Sequence, residues 1–272
     1  MSADTVTIEP TARHTHTVIF LHGRGSNAAD FATEFFHTPD SSTDKTLFEK
    51  LPTVKWILPT ATSRYSPVFQ ETLHEWFDVR SLTDPQQLRD TQIEGLTESC
   101  ARILKIIEKE TETILSNKIF LGGISQGCAT AIHTLMAADR TFAGFIGVAG
   151  WLPFLAEVQA ISKVEANARP DAFLSLYTDS FDSLDGALLE RATSSGNGFV
   201  KTPVWLCHGT DDGVVDVRLG RELRDVLTEL GTDVTWRTDD RCGHWIKVPE
   251  AMNEMEAFIR RQIALEEQST SS

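Results

Sequence analysis

The stretch from Asn117 to Leu135 constrains this chain more than any other. Lys118-Ile119-Phe120-Leu121 is a short apolar run, Gly122-Gly123-Ile124-Ser125-Gln126-Gly127 a tight glycine turn, and Cys128-Ala129-Thr130-Ala131-Ile132 the start of a small-residue helix. A strand, a sharp elbow and a helix follow one another at once, with one serine at the apex. Gly123-Ile124-Ser125-Gln126-Gly127 fits the G-x-S-x-G nucleophile elbow. The chemistry explains the glycines. The serine must sit in a strained backbone conformation that lifts its hydroxyl above the sheet, and its neighbours must let strand and helix approach closely. The helix that follows aims its first N–H groups and the positive end of its dipole at the place where an oxyanion would form.

The rest of the chain alternates in the same manner. Thr17-Val18-Ile19-Phe20-Leu21 predicts a buried strand running into the loop His22-Gly23-Arg24-Gly25-Ser26-Asn27, with a helix over Ala28–Phe36. Val54–Leu58 predicts a second strand. A long loop over 60–85 follows, carrying Trp76-Phe77-Asp78, whose aromatics either wall a substrate groove or anchor the loop to the core. Residues 87–115 are helical in pattern, through Ile93, Leu96, Cys100, Ile103, Leu104 and Ile107. Further strands are expected at 142–148, 203–208 and 234–237, with helices at 217–230 and 249–265. The region 156–201 reads as an insertion, a candidate lid with a tip at Ser194–Gly198, within a single domain spanning 1–272. Strands alternating with helices give an α/β fold with a mostly parallel sheet covered by helices on both faces.

A serine hydroxyl is a weak nucleophile until a base takes its proton, and the base needs an acid to fix its tautomer. In this architecture the order is serine, acid, histidine, each from a loop at the carboxyl end of a strand. Of the eight histidines, His208 and His244 follow Ser125 and stand at strand ends. Taking His244 as the base leaves the loop after Cys207 to supply the acid, where Asp211 and Asp212 are both available and spacing hardly separates them. The oxyanion donors are the backbone N–H groups of Gln126, just after the nucleophile, and of Arg24, in the glycine loop after the first strand. Gly23-Arg24-Gly25 lacks the third glycine of a dinucleotide fingerprint and the Lys-Ser/Thr of a P-loop, so nucleotide binding is not expected.

Taken together, these segments resemble the phospholipase/carboxylesterase family that contains the acyl-protein thioesterases. The matching stretches are Val18–Gly25, Trp76-Phe77-Asp78, Gly122–Gly127, Trp151-Leu152-Pro153, His208–Val215 and Gly243-His244. The resemblance implies an α/β-hydrolase fold and a triad of Ser125, Asp212 and His244, with Trp76 and Trp151 as substrate-binding residues. It further implies a serine esterase or thioesterase with an acyl-enzyme intermediate and no metal or organic cofactor. Acyl-proteins, lysophospholipids and small carboxylic esters are the substrate classes it brings. Three departures mark a divergent branch. Arg24 stands where many relatives have an apolar residue, Gly213 replaces the proline common after the triad acid, and about fifty positions separate Pro153 from Pro203.

Composition excludes other classes. A formal charge of −14 argues against nucleic acid and against anionic membrane surfaces as primary partners. Cys100, Cys128, Cys207 and Cys242 are widely spaced, which fits free thiols in a reducing compartment. No stretch has the length of a membrane span, and the first ten residues lack the pattern of a secretion signal, so a cytoplasmic enzyme without stable membrane insertion is expected. Asp239, Asp240, Cys242 and His244 crowd together without a familiar zinc spacing. Because fold does not fix function, a ligand-binding homologue without catalysis is the alternative of another class.

Overall fold

A computed structural model describes residues 5–36, 45–81, 84–85, 87–138, 140–165, 168–169, 172 and 198–270. In chain order the strands are β1 (Thr5–Ile8), β2 (His16–Leu21), β3 (Val54–Pro59), β4 (Ser63–Ser66), β5 (Glu71–His74), β6 (Ile119–Ile124), β7 (Gly144–Val148), β8 (Val204–Gly209) and β9 (Val234–Asp239). The helices are α1 (Ala28–Phe36), α2 (Leu47–Lys50), α3 (Ile93–Thr111), α4 (Gln126–Ala138), α5 (Leu155–Ser162), α6 (Val217–Leu230) and α7 (Glu250–Thr270).

Seven strands form one sheet in the order β1-β3-β2-β6-β7-β8-β9, and every pairing is parallel except that of β1 with β3. Side chains alternate between its faces. Ile19, Leu21, Ile119 and Leu121 pack with Leu96, Ile103 and Ile107 of α3 and with Ala129, Ile132 and Leu135 of α4. Val18, Phe20 and Phe120 meet Phe31 and Phe35 of α1 and Met255, Phe258 and Ile259 of α7 on the opposite face. At about 1.5–3 kcal/mol for each large apolar side chain buried, these two layers supply most of the driving force for the fold.

Strand order reverses beside β2. The chain leaves β2 through α1 to reach β3 on one side, and returns through α3 to lay β6 on the other. The crevice outside the carboxyl ends of β2 and β6 is therefore the topological switch point where open α/β sheets bind ligands.

The expected strands and helices are present, with four additions. One of them is α5, at the start of the region read as an insertion, and β6 runs on through Gly122 and Gly123 to Ile124, residues expected in the turn. β1 lies in the N-terminal segment, where Thr5-Val6-Thr7-Ile8 is β-branched but too polar to read as core. α2 is a single turn whose N-cap Thr46 and Glu49 form a capping box. Within the 60–85 loop, β4 and β5 form a separate antiparallel hairpin. Its strands, Ser-Arg-Tyr-Ser and Glu-Thr-Leu-His, carry no apolar alternation, because most of their side chains face water instead of a core. The proposed lid tip falls outside the described residues, apart from Gly198, as does the apolar run Phe173-Leu174-Ser175-Leu176-Tyr177 within the insertion. Among the described residues no helix is long and apolar enough to cross a membrane, and all four cysteines are free.

Candidate active site

The elbow is built as its sequence requires. Ser125 follows β6 directly with φ at 56°, in the left-handed region, and its N–H donates to the Val148 carbonyl at 2.8 Å. Such a conformation costs a non-glycine residue of order 1–3 kcal/mol and persists only where its surroundings enforce it. Gly127 makes the close approach possible: a Cβ there would lie 2.4 Å from the Leu21 carbonyl oxygen and 2.5 Å from that of His22. The first turn of α4 is thus pressed against the end of β2, which places the Gln126 and Arg24 segments side by side.

A clamp fixes that juxtaposition. The Gln126 side chain accepts from Trp76 N–H at 2.9 Å and donates to the Phe77 carbonyl at 2.6 Å. Trp76 donates its indole N–H to the His22 carbonyl at 2.8 Å, and the neighbouring His74 carbonyl accepts from Gly25 N–H at 2.8 Å. Residues 74–77 therefore tie the β2 loop to the elbow. His22 contributes from below: its Nε2 accepts from Ala61 N–H, which leaves the proton on Nδ1 to donate to the Gly23 carbonyl at 2.6 Å.

The structure corrects the place of Trp76. Its side chain is fully buried and is not part of the cleft wall, so the anchoring role, and not the substrate wall, is the one it fills. The reason lies in α3, where Gly95 lets the backbone of Phe77 pass close enough that a Cβ would come within 2.8 Å of its Cα. Trp151, by contrast, is buried from bulk water but lines the cleft.

That cleft, about 220 Å³ in volume, opens at the switch point. Ser125, Gln126, Gly23, Arg24 and His244 line it, together with an apolar wall of Phe31, Ile124, Trp151, Val214 and Trp245. Arg24 takes part through the loop it occupies, while its guanidinium stacks 4.5 Å above the Phe69 ring at the hairpin tip.

At the other side of the cleft, Asp212 and His244 meet. His244 Nδ1 lies 2.7 Å from Asp212 Oδ2, and Asp212 Oδ1 accepts from Val214 N–H at 2.8 Å and Val215 N–H at 2.9 Å. Burial alone would raise the pKa of Asp212. The hydrogen bonds from His208, His244, Val215 and Val214 outweigh it and hold the carboxyl well below the usual range. An ionised carboxylate can only accept, so His244 carries its proton on Nδ1 and turns a bare Nε2 outward. Asp211 does something different: its Oδ1 accepts from Cys242 N–H at 3.3 Å and Gly243 N–H at 3.1 Å, holding the loop that carries His244. Asp239 and Asp240 are engaged as well, with Arg237 and Lys247 respectively.

His133 is removed from the chemistry. It is fully buried, pairs with the Pro153 carbonyl at 2.9 Å, and has its pKa lowered to about 4 by burial. His208 was the unexpected participant: its Nε2 lies 3.3 Å from Asp212 Oδ2. The sequence marked it only as a candidate base at a strand end; the i,i+4 spacing from His208 to Asp212 is the hint to this second role.

One buried charge stands behind the site. Glu75 is fully buried under the hairpin, and neither carboxylate oxygen has a hydrogen-bond partner among the described residues. Burial, opposed by Arg24 and reinforced by Asp78, raises its pKa from 4.5 to about 7. Between those two values the folded protein holds a proton that the unfolded chain has lost, so stability falls as pH rises through that window. Solvent in the adjoining cavity, lined by Arg64, Tyr65 and Asp78, screens the effect to about 1–2 kcal/mol. Glu75→Gln is expected to flatten this dependence, as urea denaturation at pH 5 and pH 8 would show; an unchanged slope would rule out Glu75 as its source.

Comparison with known proteins gives the lineage. The sequence pattern of the phospholipase/carboxylesterase family matches residues 2–170 and 183–263. The chain belongs to that family. As a phospholipase/carboxylesterase family member it is a hydrolase of carboxylic esters. It is 28% identical over 256 residues to acyl-protein thioesterase 1 of Gibberella zeae, covering 93% of this chain and 92% of that protein. With the acyl-protein thioesterase 1 of Yarrowia lipolytica it shares 27% identity over 262 residues, 94% of this chain and 97% of the relative. The crystal structure of Zea mays acyl-protein thioesterase 2 superposes with a TM-score of 0.67 at 24% identity, over 95% of this chain and 98% of that one. That likeness bears on the fold alone, an α/β-hydrolase with a mostly parallel sheet.

Proposed function

We propose that Ser125 is the nucleophile of a two-step acyl transfer, with His244 as its base, Asp212 as the orienting acid, and the N–H groups of Arg24 and Gln126 as oxyanion donors. The observation that carries this reading is the 2.7 Å contact between His244 Nδ1 and Asp212 Oδ2, at the edge of a cleft that also exposes Ser125. His244 Nε2 takes the hydroxyl proton as Ser125 Oγ attacks the acyl carbon. The oxyanion forms between the two N–H donors, and the leaving alcohol or thiol departs with the proton from His244. Water, activated by the same His244, then attacks the acyl-serine and releases the carboxylic acid. Side chains and backbone N–H groups carry every step, so no cofactor is required.

The apolar wall supports a substrate with an apolar acyl group, as an ester or a thioester. The fungal relatives named acyl-protein thioesterases favour the thioester, while small esters and lysophospholipids use the same chemistry and stand as the second reading. A single domain carrying the 156–201 insertion, acting in the cytoplasm, completes this picture. The test is intact-mass analysis after exposure to a fluorophosphonate. One adduct is expected on the wild type and none on Ser125→Ala. A folded wild type that takes no adduct would overturn the assignment in favour of a ligand-binding homologue.

A further inference from the structure

We propose that His208 is a positioning residue for the hydrolysis, acting through Asp212. This inference rests on the triad reading above. His208 is the penultimate residue of β8, with its side chain fully enclosed, four residues before the acid it faces. Its Nε2 lies 2.9 Å from the Val215 carbonyl and 3.3 Å from Asp212 Oδ2. Both of those partners are acceptors, so the ring proton sits on Nε2 and is shared between them, with the shorter leg to Val215.

The consequence is a closed turn. Val215 donates its N–H to Asp212 Oδ1 and accepts from His208 through its carbonyl, so one imidazole ties both ends of the 212–215 segment. Asp212 Oδ2 then faces two histidine donors at once, His244 at 2.7 Å and His208 at 3.3 Å. The second donor spreads the charge of a carboxylate whose side chain has no exposure, and restrains its rotation about the Cβ–Cγ bond. A carboxylate held in this way stays ionised and aimed, and does not draw the proton off His244.

Packing alone does not account for a histidine here. With the proton on Nε2, Nδ1 is a bare acceptor, and it is buried without a partner among the described residues. It abuts Gly220 of α6, where a Cβ would come within 2.4 Å of it, and the ring leans on Trp236 of β9 at 6.4 Å between centroids. An apolar ring of similar size would fill this slot without leaving an unpaired nitrogen in a dry site. The histidine is therefore held at a cost, and the groups it serves are Asp212 and Val215.

The experiment compares His208→Phe, which keeps the ring volume and removes the donor, with His208→Gln, whose amide nitrogen reaches a similar point. His208→Phe is expected to lower kcat/KM 10- to 100-fold with the loss in kcat and KM nearly unchanged. The acid limb of the kcat/KM profile is expected to move to higher pH, because an Asp212 with one donor fewer is more basic and raises the affinity of His244 for its second proton. His208→Gln is expected to recover most of the rate and the original limb. A wild-type profile in His208→Phe would overturn the proposal, as would a loss that the glutamine does not recover and that follows the melting temperature. Where His208→Phe does not fold, Gly220→Ala displaces the ring through the contact at Nδ1, and a limb that stays in place in that variant overturns the proposal equally. Fluorophosphonate labelling of the wild type in the same series separates the two readings. No adduct would mean that the triad assignment fails, whereas an adduct with an unmoved limb would mean that only the role of His208 fails.

Discussion

Asp212→Asn is expected to lower kcat/KM by on the order of 10⁴, with the fold intact. The size follows from donors and acceptors at one carboxylate. Oδ1 accepts from Val214 N–H and Val215 N–H, so an asparagine must place its oxygen there and its NH₂ where Oδ2 now stands. That NH₂ would then face the Nδ1–H of His244, two donors against each other at 2.7 Å. His244 escapes by moving its proton to Nε2, and the lone pair that should receive the serine proton is lost. The neighbouring Asp211→Asn is expected to remain within a few-fold of wild type. Its oxygen can still accept from Cys242 N–H and Gly243 N–H, which hold the backbone of the loop and not the His244 ring. Steady-state kinetics on an aryl ester and an aryl thioester, with melting curves beside them, check both. If the two variants exchanged their effects, the acid would be Asp211 and the geometry of the 212–215 turn would have been misread.

That pair also shows what the sequence could and could not convey. Order along the chain selected Ser125 and His244, because a nucleophile elbow and a histidine after the last strand each have a local signature. Asp211 and Asp212 have the same chemistry one position apart, and only the turn that follows separates them. Its two N–H groups converge on Asp212, and that convergence is a property of backbone direction. The family resemblance chose Asp212, and the hydrogen bonds supply a physical reason for the choice.

Elsewhere legibility follows burial. The central strands are apolar runs because both of their faces are covered, and β2, β3 and β8 were readable to within a residue, while β6 runs on to Ile124 through glycines that read as turn. α6 was readable at both ends, since Asp216 caps it by accepting from Arg218 N–H and Gly231 closes it in the left-handed region at φ 96°. The β4–β5 hairpin was invisible because its side chains are mostly polar and partly wet, and its place is fixed by bonds to distant backbone such as that from Gly25 N–H to His74. Trp76 was left open between wall and anchor by its residues, and the resemblance alone put it at the groove. An aromatic on a loop looks available to a ligand, and only the tertiary fold shows α3 closing over it. The role of Gln126 was half seen. Its N–H was expected at the oxyanion site, but its side chain bonds Trp76 and Phe77 across fifty residues, beyond the reach of any local pattern.

Gly127→Ala is expected to damage the fold and the oxyanion site together. The added carbon would meet the carbonyl oxygens of Leu21 at 2.4 Å and His22 at 2.5 Å, and both belong to the backbone of a central strand and its loop. A flexible side chain could swing aside, but these atoms are held by the β2–β6 ladder and by the His22 ring. The first turn of α4 must therefore retreat from the end of β2. Overpacking of this kind typically costs about 1–3 kcal/mol, and rigid backbone on both sides places this site at the upper end. Retreat also parts Gln126 from Arg24 and strains the Gln126–Trp76 clamp, so the oxyanion donors diverge while Ser125, Asp212 and His244 all remain present. Losing one such donor is worth about 10²–10³ in rate, which sets the scale of the expected fall in kcat. Urea denaturation measures the first effect and the rate of fluorophosphonate labelling the second. Gly213→Ala is the control, since a Cβ there meets nothing within 4 Å, and it is expected to change stability by no more than about 0.5 kcal/mol. A Gly127→Ala protein that labels at the wild-type rate would show that the oxyanion donors do not depend on the contact between α4 and β2, and the elbow would then need another account of its glycine.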